Sequence, residues 1–139
     1  MDLIPFGQEI LDAQPFSKEV GIEIARFEMG FCELTMEIEE RHKQHNGFVH
    51  GGVTSTLADM ALTFAGGSVL QDVLTLEWKI NFLRPGVGER LVARGQVMSH
   101  GATQAVCRCD IFAVTDGAEK IVAAAQGTIA KRPTKMKGS

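Results

Sequence analysis

Between Gln44 and Gln71 the chain reads QHNGFVHGGVTSTLADMALTFAGGSVLQ and carries a single formal charge, Asp59. From Gly52 onward, Val53, Leu57, Met60, Ala61, Phe64 and Ala65 recur at helical spacing. No Lys, Arg or Glu gives this helix a solvated side. Such a helix must be covered on most sides, by the rest of the chain or by another copy. The Gly66-Gly67 pair either ends it or lets it pack very closely. A carboxylate is almost never buried unless something pairs with it or uses it. Asp59 is therefore a functional candidate, the alternative being a buried acid that serves a cap or an ion pair between copies.

The flanking sequence supplies the cover. Residues 22–29 read as a strand turned by Gly30. In residues 31–39, Cys32, Leu34, Met36 and Ile38 alternate with Glu33, Thr35, Glu37 and Glu39, the pattern of a half-buried strand. After the loop RHKQHNGFVHGG and the helix, residues 74–83 place Leu74, Leu76, Trp78, Ile80 and Phe82 on one face, with a turn at Pro85-Gly86. Strands over 89–99, 103–114 and 119–130 follow, separated by His100-Gly101 and Asp116-Gly117, both hairpin signals. A short helix over 3–13, ended by Pro15, precedes all of this. The predicted order is helix, two strands, a buried central helix, then four strands in a meander. That is an α+β fold with one long helix and an antiparallel sheet.

The 139 residues fit one domain, with 1–19 as an N-terminal helical extension and 132–139 as a frayed tail. A hydrophobic content of 45% is enough for a core. A net charge of −3 gives no electrostatic support for nucleic-acid binding. Cys32, Cys107 and Cys109 are too few and too odd in number for a disulfide framework, which suggests a reducing compartment. Cys107 and Cys109 alternate onto one face and read as core. His42, His45 and His50 lack a completing ligand set, so no metal site and no cofactor are expected. No signal peptide and no run of about 18 apolar residues is legible, and the expected location is the cytoplasm.

Gly51-Gly52 open the helix, where backbone N–H groups lack partners and the helix dipole favours negative charge. Gly51 precedes Asp59 by eight positions, about 12 Å along a helix axis. One carbonyl cannot touch both the amide and the carboxylate of the same chain. Two such helices packed antiparallel about a two-fold axis would bring each Asp59 near the other's glycines, giving a homodimer with shared sites. Ser55, Asp59 and Thr63 form one polar line at i−4, i and i+4. The two hydroxyls either orient the carboxylate or a water, or bond back to helix carbonyls. His50 either fixes the loop or polarises a substrate carbonyl.

His50-Gly51-Gly52 with Asp59 eight residues past Gly51 resembles the hotdog-fold acyl-CoA thioesterases, and within them the phenylacetyl-CoA thioesterase-like branch. Gly47, three before His50, fits the same pattern. INFLRPGVGERL, SHGATQAVCRCDIF and IVAAAQGTIA resemble that family's later strands, and the likeness spans roughly residues 20–131. It implies a helix wrapped by a curled antiparallel sheet, sheets joined edge to edge in a dimer, and dimers that often pair into tetramers. It implies acyl-CoA as substrate. The Gly51 or Gly52 amide would hold the thioester oxygen, and Asp59 of the other copy would act as nucleophile or base. Thr63 would help hold water, Thr75 would lie near the carboxylate, and Gln44 would belong to the site, with Asn46 as the substitute if the loop shifts. For the coenzyme's phosphates and adenine the resemblance points to Arg84 first, then Arg90, His100 and Lys131. The competing readings are a hotdog-fold hydratase or dehydratase and a non-catalytic acyl-CoA-binding module. The spaced Asp59 argues against both.

Overall fold

A computed structural model describes residues 1–133. Helices α1 (Ile4–Asp12) and α2 (Pro15–Val20) lead into strands β1 (Ile22–Glu28) and β2 (Phe31–Glu37). A short 3-10 turn at Glu40–His42 and a loop then reach the long helix α3 (Gly51–Leu70). Strands β3 (Val73–Phe82), β4 (Arg90–His100), β5 (Gln104–Thr115) and β6 (Ala118–Lys131) complete the chain. The six strands form one antiparallel sheet in the order β1-β2-β4-β5-β6-β3, and α3 packs against all six of them. This is the hotdog arrangement, with α3 as the filling.

Three details differ from the sequence reading. Pro15 ends α1 but also starts α2, because proline suits the first helical position, where its missing N–H would have had no partner. The last four strands are not a simple meander. Strands β4, β5 and β6 are, but β3 crosses over to pair with β6 and becomes a free edge. Thirdly, a bulge in β3 between Thr75 and Glu77 switches the strand's phase. Before it, Val73 and Thr75 face the helix; after it, Trp78 and Ile80 pack on the core, while Leu74 and Leu76 are exposed. The Asp116-Gly117 hairpin follows expectation, with both residues at positive φ. Arg132, expected in a frayed tail, donates from Nε to Asp72 at 2.8 Å. Residues 134–139 of that tail lie outside the described residues.

By length and composition α3 could cross a membrane, yet 67% of its apolar window is buried within the fold. Its approach to the sheet is set by glycines. A Cβ at Gly95 of β4 would fall inside contact distance of the Ala61 carbonyl. A Cβ at Gly66 would lie 2.8 Å from Ile129. Of the two readings of Gly66-Gly67, close packing is thus the one Gly66 fulfils, and the helix runs on through both to Leu70. Gly67 is different. A Cβ there would meet only Val73, at an ordinary 3.5 Å. A glycine at such a helix position costs about 1 kcal/mol relative to alanine. Cys32, Cys107 and Cys109 are fully buried core residues, and burial pushes the Cys107 thiol up to about 11.

Gly95→Ala should destabilise the protein by about 1–3 kcal/mol, because backbone of α3 stands where the methyl must go. Gly101→Ala, with nothing within 4 Å, should change stability by less than about 0.5 kcal/mol. Urea unfolding of the two variants tests the contrast.

Candidate active site

Asp59 lies at mid-length on α3, half-buried, on the one strip of the helix that the sheet leaves uncovered. Three polar contacts organise it. Thr75 Oγ1 donates to Asp59 Oδ1 at 2.8 Å. Thr63 Oγ1 bonds back to the Asp59 carbonyl at 2.6 Å and also meets Thr75 Oγ1 at 2.9 Å. Thr63 therefore bonds back to a helix carbonyl and meets the carboxylate only through Thr75. Two hydroxyl protons serve three contacts, so one contact is always without a proton. Asp59 Oδ2 has no hydrogen-bond partner among the described residues. The bulge after Thr75 makes this geometry possible, since it lets Thr75 point at the helix while Trp78 still reaches the core.

Asp59, Ser55, Thr63 and Thr75 line a cavity of about 1410 Å³. Its floor is α3, and its walls are β3 on one side and α1, α2 and the end of β1 on the other. Ser17 of α2, itself buried, donates to Gln14 Oε1 at 2.7 Å, and its Oγ packs 3.2 Å from Met60 Sδ, which brings α2 down beside the carboxylate.

The glycine end of α3 is built separately. His50 is the N-cap, and its Nδ1 accepts the Gly52 N–H at 2.8 Å. That bond requires a neutral ring with its proton on Nε2. His50 thus fixes the loop, and the Gly52 amide is already engaged. The Gly51 N–H has no partner among the described residues, which makes Gly51, not Gly52, the available donor. Gln44 Oε1 accepts the Asn46 backbone N–H, and Gln44 lines a second cavity of about 390 Å³ together with Gly51, Phe82 and Arg84. The exposed Arg84 guanidinium has no ion-pair or hydrogen-bond partner among the described residues. Asn46 lines neither cavity. His100 is remote, at the far end of β4, where its Nδ1 lies 3.1 Å from the Gly101 carbonyl. Lys131 is also at that end. Arg94's hydrogen bond holds the Glu119 carboxyl below its usual range, and the nearby charge of Arg90 adds a smaller pull in the same direction.

His42 was not singled out by sequence as a site residue, yet it aligns the loop. Its buried ring accepts the Glu39 N–H at Nδ1 (2.9 Å) and contacts the Val20 carbonyl at Nε2 (2.7 Å). Its own carbonyl accepts the His50 N–H at 2.8 Å. The sequence signal available for it was the capping box Glu39–His42.

Residues 46–120 match the thioesterase superfamily. The acyl-coenzyme A thioesterase PaaI of Escherichia coli is 32% identical over 96 residues, which make up 68% of this chain and 69% of that one. The medium/long-chain acyl-CoA thioesterase YigI of Escherichia coli strain K12 is 26% identical over 123 residues, 76% and 79% of the two chains. A solved thioesterase family protein from Silicibacter pomeroyi superposes with a TM-score of 0.85 at 33% identity, covering 88% of this chain and 93% of that one.

His42→Phe would take from the Glu39 N–H its ring acceptor and leave the buried Val20 carbonyl only the long 3.5 Å contact from Arg41. The expected loss is about 1–3 kcal/mol of stability, measurable by urea unfolding. A loss under about 0.5 kcal/mol would contradict this role for the ring.

Proposed function

The chain belongs to the thioesterase superfamily and is a thioester hydrolase; on that footing we propose that it hydrolyses acyl-CoA at sites assembled from two copies of itself. One observation carries the shared site. Within a single chain, Asp59 and the free Gly51 N–H open onto different cavities that share no lining residue.

The free edge supports the same reading. Strand β3 has an unpaired side and exposes Leu74, Leu76 and Phe82. Edges of this kind invite pairing with another strand. Thr75 stands at the level of Asp59, and Phe82 stands at the level of Gly51, whose Cβ position is 3.4 Å from the Phe82 ring. Antiparallel pairing of two β3 strands about a two-fold axis near Trp78–Lys79 would set Thr75 of each opposite Phe82 of the other. Each Asp59 would then face the Gly51 amide of the second copy.

In the proposed step, the Gly51 N–H of one copy holds the thioester oxygen as it becomes an oxyanion. Asp59 Oδ2 of the other takes a proton from water while the water oxygen bonds to the carbonyl carbon. Thr75 fixes Oδ1, so the free oxygen keeps its aim. The C–S bond then breaks, the thiolate of coenzyme A takes up the proton, and the free acid leaves. Direct attack by Oδ2 on the carbonyl carbon would use the same geometry. Arg84, beside the Gly51 cavity and with its guanidinium unpaired among the described residues, is the residue proposed to meet the coenzyme's phosphates, and Gln44 lines that cavity with it.

Asp59→Asn should lower kcat/KM by about 10² or more without changing the unfolding midpoint. Thiol release from acyl-CoA measures this, and near wild-type turnover in the folded variant would remove Asp59 from the mechanism. Gly51→Pro deletes the amide hydrogen at a position where proline is well accommodated, after a His50 already at φ −61° and ψ 135°. Each variant alone should be inactive. A pair formed from one of each contains one intact site, so equimolar mixing with subunit exchange should restore about a quarter of wild-type activity. No recovery, with mixed dimers demonstrated by native mass spectrometry, would refute the shared site.

A further inference from the structure

Gly67 is a buried glycine that packing does not explain. It lies buried in α3, in helical conformation, and a Cβ there would meet nothing closer than Val73 at 3.5 Å. Gly66 beside it and Gly95 opposite the helix both exclude a Cβ by contact. What a side chain at Gly67 would occupy is the larger cavity, of which Gly67 forms part of the floor.

Position matters as much as space. Asp59, Thr63 and Gly67 follow at i, i+4 and i+8 on the same strip of helix, and all three line the cavity. Gly67 is about 12 Å along the axis from Asp59. An extended alkyl chain advances roughly 1.25 Å per C–C bond, so about ten carbons span that gap.

The lining also changes character along the way. Hydroxyls surround Asp59, whereas the wall facing Thr63 to Gly67 is aromatic. Phe6 of α1 stacks on Phe27 of β1 at 6.4 Å between centroids, and Phe27 meets Phe64 of α3 edge-on at 5.4 Å. An apolar cavity of about 150 Å³ is enough for benzene. The cavity of about 1410 Å³ is far larger than one ring requires, even if a second copy closes its β3 side.

Resting on the acyl-CoA reading above, we propose that the acyl group is a long aliphatic chain, laid along α3 from Asp59 beneath α1, and that Gly67 sets its length by leaving the passage open. The chemical class is a saturated or unsaturated fatty acyl thioester of about twelve carbons or more. Gly67 is a specificity-determining residue and takes no part in bond making.

The test has a kinetic arm and a binding arm. In the kinetic arm, kcat/KM is measured for butanoyl-, octanoyl-, dodecanoyl-, hexadecanoyl- and phenylacetyl-CoA. Wild type should prefer the chains of twelve or more carbons. Gly67→Leu should lower the hexadecanoyl-to-butanoyl ratio at least about tenfold, Gly67→Ala should fall between, and the thermal midpoint of neither should drop. In the binding arm, Trp78 reports directly, because it is the single tryptophan and lines the cavity. Stearic acid brominated mid-chain should quench its fluorescence in wild type, saturably, and fail to do so in Gly67→Leu. An unchanged ratio in Gly67→Leu, or no quenching in wild type, overturns the inference. So does dissociation of the dimer by Gly67→Leu, since the cavity would then be an interface. If phenylacetyl- or butanoyl-CoA is hydrolysed but stearic acid neither binds nor quenches, the thioesterase reading stands and this one falls. If no acyl-CoA is hydrolysed, the acyl-CoA reading falls and this inference falls with it, whatever the quenching.

Discussion

The structure depends on burying a helix that has no charged face. Helix α3 meets every strand of the sheet, and the sheet reaches it so closely that Gly95 and Gly66 cannot carry side chains. Backbone-to-backbone approach of this kind fixes the helix in rotation as well as position. The strip bearing Ser55, Asp59 and Thr63 is what the sheet leaves uncovered, and it leads to the buried Gly67 on the cavity floor. The site is therefore the unburied remainder of the core helix, and its orientation follows from packing elsewhere.

A carboxylate on that strip is tolerable because it is only half-buried and is met by a donor. Thr75 supplies the donor from the edge strand, and the bulge beside it supplies the direction. Gly127 of β6 accommodates that bulge: a Cβ there would stand 2.5 Å from the Glu77 carbonyl. One irregularity thus serves two needs. It aims a hydroxyl at Asp59, and it leaves Leu74 and Leu76 on a free edge. The hydroxyl that meets Asp59 and the exposed leucines come from the same strand.

The opposite end of α3 shows a division of labour between neighbouring amides. His50 uses Nδ1 to cap Gly52, so the ring is committed to the loop and the next N–H back, at Gly51, is the one left over. His42 holds that loop from below through two ring contacts and its own carbonyl. A helix start with one spare donor is more selective than one with four, because the loop has satisfied or redirected the others.

The sequence by itself determined the six strands, the buried central helix, the lone Asp59 on it and the inability of Asp59 and Gly51 to serve one carbonyl from a single chain. Those follow from periodicity, charge and helical rise, which are local properties. It did not determine that β3 crosses to the far edge beside β6, because alternation says which face a strand buries and nothing about its neighbours. It placed Leu74 and Leu76 inward, because a period of two cannot register a bulge. It could not choose between Gly51 and Gly52, since that choice rests on a side chain folding back onto the backbone. Nor could it separate Gly66 from Gly67: the two glycines are adjacent and look alike in sequence, and only the tertiary structure shows that one is pressed against Ile129 while the other borders open space.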